Sequence, residues 1–302
     1  MNQMRVFLRV LTPFAAMVIA AGLHAQTLDS LSFDKKLKLA KVGDEDAQVA
    51  VAQAYEKGSD TEVDKAEAAR WYRKAADEGN VEAMFHLARI VSEGAQGVKR
   101  SPELAAKLYE SAAKQGHVEA ENWLGYSYEH GLGIQQSDAS AVEWYKKSAD
   151  AGLAVAQNNL GLMYLNGKGV ARDYGKAFAL FEQAAKQGDA WGINNLGGLY
   201  EMGWGVKQDR QKALAYYKQA SEKGNKRAGD NMKRLAAALG PSEAAASALK
   251  PEPQKATEEK PAQAETSKNT ASDAAPAAAA ASPAPPPPPP PKKTVKTDSG
   301  GQ

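Results

Sequence analysis

The chain of 302 residues contains no cysteine, which excludes disulfide bonds, thiolate metal sites, a cysteine nucleophile and a lipid-modified N-terminal cysteine. Its net charge is also close to zero, at +2. Two of the 38 basic residues, Arg5 and Arg9, lie in an N-terminal stretch that has no acidic residue. The rest of the chain therefore has 36 basic and 36 acidic residues. A nucleic-acid partner requires a net basic face. The charge balance therefore predicts no nucleic-acid binding.

The sequence has one long apolar run, from Val10 to Leu23, and no second one. The run follows two basic residues and leads to a small residue, Ala25, before Gln26. This layout is typical of a secretory signal peptide. A retained membrane anchor is the alternative, but the run is shorter than the ~20 residues that cross a bilayer. We therefore predict a signal peptide over residues 1–25, cleavage near Ala25/Gln26, a periplasmic or secreted protein, and no stable membrane insertion after cleavage.

The common catalytic signatures are missing as well. The sequence contains no nucleophile elbow, no phosphate-binding glycine loop between a strand and a helix, and no His-x-x-x-His pair. His86, His117 and His130 share no ligand spacing, so we predict no metal site, no cofactor and no enzymatic activity. Residues distant in sequence can still assemble a catalytic site. An enzyme acting on cell-wall or saccharide substrates therefore stays open as an alternative.

What the sequence does contain is an internal repeat. Glycines recur at spacings of 36, 37, 36, 36 and 36 residues, at Gly43, Gly79, Gly116, Gly152, Gly188 and Gly224. A small residue follows each glycine by four positions, an apolar residue follows by eight, and in five copies another glycine follows by fifteen. Such offsets lie on one face of an α-helix, and glycine readily ends a helix in the left-handed conformation. Each repeat is therefore predicted to begin with an amphipathic helix that stops at its second glycine.

The second half of each repeat predicts another helix. An alanine leads to an aromatic or leucine pair, and two small residues precede the next glycine. The pairs are Trp71-Tyr72, Leu108-Tyr109, Trp144-Tyr145, Leu180-Phe181 and Tyr216-Tyr217, and we predict that Trp71 and Trp144 lie in the core. One helix pair cannot bury its apolar stripe alone, so the pairs are expected to stack as a solenoid.

These repeats predict the domain organisation. A capping helix is expected over 26–42, and a stack of repeats over 43–240. The five repeats and a second capping helix span 43–78, 79–115, 116–151, 152–187, 188–223 and 224–240. Residues 241–302 form an Ala/Pro/Lys-rich mixture that cannot bury enough apolar surface to order itself, so a disordered tail is predicted. Its run Pro285–Pro291 favours a polyproline II rod, and lysines follow it.

Several positions recur together in a pattern that resembles a known family. In the fourth copy, residues 156–164 read Ala-Gln-Asn-Asn-Leu-Gly-Leu-Met-Tyr, and Gly-Lys-Gly-Val follows at 167–170. With Tyr/Phe-x-x-Ala-Ala in the second half, the pattern resembles the Sel-one-like repeat (SLR) family, relatives of tetratricopeptide repeats, over about Leu37 to Leu239. The resemblance implies an all-α, right-handed α/α superhelical solenoid that serves as an adaptor. Exported bacterial members include regulators of sensor kinases and proteins implicated in exopolysaccharide assembly or host contact.

The resemblance also implies where a partner binds. In tetratricopeptide-like stacks the first helix of each pair lines a concave groove, and offsets three, seven, ten and fourteen from the glycine form a stripe beside the buried one. These offsets predict a partner-binding groove formed by His86, Arg89, Trp123, Tyr126, His130, Asn159, Asn195 and Asn231. At the three asparagines the resemblance implies an amide that bonds the backbone of a bound peptide. The alternative is that these amides bond an adjacent helix and hold the twist of the stack.

The functional prediction is an exported protein–protein interaction scaffold. A periplasmic regulator or assembly factor, with an envelope sensor or assembly protein as its partner, fits the signal layout and the repeats. Exposed aromatic residues such as Trp123 and Tyr126 often anchor interfaces, which supports a protein partner. A structural cell-envelope protein that acts through its proline-rich tail is the second hypothesis.

Overall fold

A computed structural model describes Leu28 and residues 30–240 of the chain. This part contains twelve helices and no β-strand. The helices are α1 (Phe33–Lys41), α2 (Glu45–Lys57), α3 (Lys65–Asp77), α4 (Val81–Glu93), α5 (Pro102–Lys114), α6 (Val118–His130), α7 (Asp138–Asp150), α8 (Ala154–Asn166), α9 (Tyr174–Lys186), α10 (Ala190–Met202), α11 (Arg210–Glu222) and α12 (Lys226–Leu239). Consecutive helices pack as pairs, which confirms the predicted all-α repeat fold. The predicted signal peptide and tail lie outside the described residues.

The described residues form two compact units. The N-terminal unit comprises the described residues up to Ser127 together with 131–135, and the C-terminal unit comprises 128–130 and 136–240. In the N-terminal unit each helix from α1 to α5 packs against the next. In the C-terminal unit the same sequential packing runs from α7 to α12, and α8 also contacts α10 directly. Both units therefore contain helix pairs stacked in chain order.

Local capping interactions explain where the helices begin and end. Most first helices have an Asp or Asn as N-cap, and its side chain accepts a hydrogen bond from a backbone N–H of the first turn. Asp44 accepts from Ala47 at 2.8 Å, and Asn80 accepts from Ala83 at 2.9 Å. His117 takes this role for α6, because its Nδ1 accepts from the backbone N–H of Ala120 at 3.2 Å. The glycine fifteen positions into each repeat then ends the first helix. The helix boundaries thus follow from short-range sequence.

In repeats two to five the loop contains a second glycine that lies close to the previous repeat. A Cβ on Gly169 would lie 2.3 Å from the carbonyl oxygen of Asp138 at the start of α7. A Cβ on Gly205 would lie 2.5 Å from the carbonyl oxygen of Tyr174, and both glycines have positive φ angles. The first repeat has Asp60 at this position, also with a positive φ of 64°. An aspartate tolerates this conformation better than most residues, which explains why the loop turns here without glycine.

The core is built from one large ring on each second helix and a small residue on the facing first helix. The rings, all fully buried, are Tyr72, Tyr109, Tyr145, Phe181 and Tyr217. A Cβ on Gly161 of α8 would lie 2.6 Å from the Phe181 ring, and one on Gly197 of α10 would lie 3.0 Å from the Tyr217 ring. A larger side chain would separate these helices, so close packing requires glycine at these two positions.

Candidate protein-binding face

The predicted groove residues of repeats two and three lie on α4 and α6. Offsets three, seven and ten place six residues there, which we call the N-terminal face: Glu82, His86 and Arg89 of α4, and Glu119, Trp123 and Tyr126 of α6. The two helices are linked through His117, whose Nε2 lies 3.2 Å from Glu82 Oε2 and whose ring stacks on Phe85 at 4.5 Å. The structure therefore brings together four of the predicted groove residues in one unit.

Trp123 and Tyr126 form an aromatic pair on α6. Their ring centroids are 5.8 Å apart and their planes meet at 76°. On its other side Trp123 stacks in parallel on Tyr109 of α5, with centroids 5.8 Å apart. Both rings of the pair are half-buried, so each keeps part of its surface in solvent. The Trp123 ring is thus oriented by a buried tyrosine and presents an accessible aromatic edge.

His86 and Arg89 are positioned by a carboxylate from the preceding repeat. Glu56 Oε2 lies 3.3 Å from His86 Nδ1, and Glu56 Oε1 lies 3.9 Å from the Arg89 guanidinium. The hydroxyl of Tyr72 donates a hydrogen bond to Glu56 at 2.7 Å, and the Tyr72 ring stacks on His86. Burial raises the pKa of Glu56, but the bonds with His86 and Tyr72 and the nearby positive charge outweigh it and lower the pKa to about 2. Glu56 is therefore ionised at neutral pH.

Acidic side chains accompany these aromatic and basic residues. Asp46, Glu82 and Glu119 occupy offset three in the first three repeats, and we call them the acidic row. The side chains of Glu82 and Glu119 are 50% and 55% exposed. In the C-terminal unit the same offset holds Val155 and Trp191. Repeats one to three therefore have carboxylates at this position, whereas repeats four and five have apolar side chains.

The three predicted asparagines are buried in the C-terminal unit. Asn159, Asn195 and Asn231 are at most 7% exposed. Asn195 Nδ2 donates to Asn158 Oδ1 at 2.8 Å, and Asn231 Nδ2 donates to Asn194 Oδ1 at 3.0 Å, so the amides link successive first helices. These contacts favour the alternative in which an asparagine bonds an adjacent helix. The predicted contact with a bound peptide stays a prediction.

The remaining predicted residue, His130, is exposed at the last position of α6 and belongs to the C-terminal unit.

A contact that the sequence pattern did not predict joins Glu129 to Tyr145, whose hydroxyl donates a hydrogen bond to Glu129 at 2.9 Å. Tyr72 and Tyr217 make the same bond to a glutamate sixteen positions earlier. This constant spacing in repeats one, three and five is a signal that could have revealed the pairs.

Glu201, the last of these glutamates, also binds the terminal helix. Arg234 of α12 contacts both of its carboxylate oxygens at 2.7 Å. Burial raises the pKa of Glu201, but the hydrogen bonds from Arg234 and Tyr217 outweigh this effect, and the net pKa is lowered. The ionised carboxylate thus fastens α12 to α10.

No group of three or more His, Asp or Glu side chains in residues 30–240 is arranged to hold a metal ion. Over the same residues, none of the helices has the length and apolar character needed to span a membrane.

Stacked helix pairs of nearly constant length define a helical-repeat protein. The family model of the Sel1 repeat matches residues 45–80, 81–117, 118–153, 154–189 and 192–225. The chain therefore belongs to the Sel1 repeat family, as its resemblance to Sel-one-like repeats predicted. Sel1 repeat proteins are generally scaffolds for protein–protein interactions.

Relatives and solved structures agree with this assignment. Protein sel-1 homolog 2 of Rattus norvegicus is 36% identical over 74 residues, which cover 24% of this chain and 11% of the relative. A protective antigen of uropathogenic Escherichia coli strains, which displays an SLR fold, is 32% identical with a TM-score of 0.66, over 71% of this chain and 46% of the antigen. A Sel1 repeat protein from Oxalobacter formigenes is 32% identical with a TM-score of 0.56, over 60% of this chain and 74% of that protein. The chain thus spans about a tenth of the curated relative and less than half of the antigen.

Proposed function

We propose that this chain is an exported scaffold that binds a protein partner through its N-terminal face. The observation that carries the proposal is the Trp123–Tyr126 pair, whose half-buried rings belong to the same face as Arg89 and the exposed carboxylates of Glu82 and Glu119. Aromatic residues and arginine are enriched where proteins bind each other, and they provide most of the binding energy at interfaces. The family assignment supports the same kind of function.

In this proposal the predicted groove residues have two roles. His86, Arg89, Trp123 and Tyr126 contact the partner. The buried asparagines of the C-terminal unit instead keep successive first helices in register. We assign these two roles by side-chain exposure, because a residue with less than a tenth of its surface exposed can contact a partner only slightly.

We further propose that the protein acts in the periplasm as a regulator or assembly factor. Residues 1–25, with their basic start and apolar run, support export. Mass spectrometry of the periplasmic fraction tests this part, and the expected N-terminal residue is Gln26. A chain that keeps residues 1–25, or that stays in the cytoplasm, would contradict export.

Affinity capture from an envelope extract tests the binding face. We expect a protein that the wild-type chain captures to be lost when Trp123→Ala and Arg89→Ala are combined, because the variant removes an aromatic anchor and a cation. The matched control combines Trp191→Ala with Lys107→Ala, which removes the same chemistry from α10 and from the exposed side of α5. Capture that both variants keep, or that only the control loses, would show that the N-terminal face is not the binding site.

A further inference from the structure

We infer that the chain's own proline run, Pro285–Pro291 with the following Lys292 and Lys293, binds the N-terminal face. The inference rests on the proposed function, because it names an occupant for the same face. An occupant carried on the same chain would regulate the scaffold, since an external partner would have to displace it.

The first argument is the shape of the Trp123–Tyr126 pair. The two half-buried rings are in edge-to-face contact, 5.8 Å apart with planes at 76°, and we call the exposed angled surface of this pair the notch. Proline rings dock into aromatic-lined grooves of this kind, and a polyproline II segment loses little conformational entropy on binding. The parallel stack on Tyr109 keeps Trp123 in its orientation, so the notch exists before any ligand arrives.

The second argument is charge. Glu119 lies one helical turn before Trp123, and its side chain is 55% exposed. At 1.5 Å per residue, Glu119 and Tyr126 are about 10 Å apart along α6, a distance that about three residues of polyproline II cover. A proline in the notch would therefore bring a lysine a few positions later close to Glu119. The two lysines directly after Pro291 supply that charge, and Glu82 adds a second exposed carboxylate.

The third argument is reach. Between Gly240, the last described residue, and the start of the run at Pro285 lie 44 residues. At about 3.3 Å per residue, this length of chain extends to at most about 145 Å. Linking a ligand to its site raises its effective concentration into the millimolar range when the geometry allows the contact. Even weak binding to the notch would then keep the face occupied.

A labelled synthetic peptide covering residues 283–296 provides the test. It is titrated into the full chain in which Gly and Ser replace the seven prolines, and fluorescence anisotropy follows binding. We expect saturable binding, at least tenfold weaker after Trp123→Ala and unchanged after Trp191→Ala. We also expect at least tenfold weaker binding to the unaltered chain, because its own run competes for the face.

A second variant distinguishes loss of binding from loss of folding. Trp123 stacks on a buried tyrosine, so Trp123→Ala has to keep the wild-type melting curve to be informative. Glu119→Lys reverses a charge that is 55% exposed and 3.5 Å from His117, so its melting curve is compared in the same way, and we expect it to weaken peptide binding several-fold at low salt and less at high salt. Absence of saturable binding, or equal affinity in both variants and wild type, would overturn the inference. If the peptide does not bind but capture of an envelope protein still depends on Trp123, the proposed function stands and only the occupant is wrong.

Discussion

Replacing Asn195 with alanine decides whether the buried amides serve structure or ligand binding. Asn195 is 3% exposed, donates to Asn158 at 2.8 Å and accepts from Asn194 at 3.2 Å. The substitution removes both hydrogen bonds, so the buried amides of Asn158 and Asn194 each lose this partner. Each loss costs about 1–3 kcal/mol of stability. We therefore expect Asn195→Ala to lower the free energy of unfolding by about 2–6 kcal/mol.

Urea unfolding at pH 7, followed by far-UV circular dichroism, measures this loss. In a double-mutant cycle with Asn158→Ala we expect a coupling energy of at least about 1 kcal/mol, because the two residues share a hydrogen bond. The matched control is Asn166→Ala, an exposed amide at the end of α8, whose effect should stay within about 0.5 kcal/mol. An Asn195→Ala chain that keeps its stability to within about 0.5 kcal/mol and loses partner binding would refute the structural assignment.

Three further predictions concern packing and charge. Gly161→Ala places a Cβ 2.6 Å from the Phe181 ring. The resulting overpacking costs about 1–3 kcal/mol, which should exceed the ~1 kcal/mol that alanine gains over glycine in helix propensity. We therefore expect the urea midpoint to fall. Glu56 has a pKa lowered from 4.5 to about 2, so it stabilises the fold above about pH 4.5 and loses this effect as the pH falls toward 2. We expect Glu56→Gln to lose less stability between pH 7 and pH 3 than the wild type, by up to about 2 kcal/mol before partial exposure reduces it, because this pH window ends before the lowered pKa is reached. Arg234→Ala leaves Glu201 without its two 2.7 Å contacts, and the free energy of unfolding should fall by about 1–2 kcal/mol at low salt.

Matched variants control each of these measurements. A Cβ on Gly175 would meet no atom closer than 3.4 Å, so Gly175→Ala should raise stability, and a response of the same sign at both glycines would contradict the packing argument. The exposed Glu45 is the control for acid sensitivity, since Glu45→Gln should lose stability with falling pH as the wild type does. Lys233→Ala, next to Arg234 and exposed, should change stability by less than about 0.5 kcal/mol.

Much of the fold was predictable because its determinants are local. Gly167, for instance, ends α8 in the left-handed conformation with φ 67°, and Asn80 caps α4 through a bond to a residue three positions on. A recurring glycine and a recurring capping residue therefore indicate helix boundaries without knowledge of the tertiary structure. The same periodicity predicted that Trp123 and Tyr126 share one helical face, and the structure places their rings in contact.

The role of each polar side chain, in contrast, depended on the tertiary structure. Asn195 and Asn158 are 37 residues apart, and only stacking of one repeat on the next brings their amides to 2.8 Å. Offset seven alone could not tell a peptide-binding amide from one that joins two helices, because both arrangements place it on the same side of the helix. By itself, the sequence determined the repeat, the helix boundaries and the composition of each face, all of which depend on neighbours within about one helical turn. Only the packed repeats decided which side chains are buried between helices and which remain exposed, because burial depends on surfaces contributed by residues far apart in the chain.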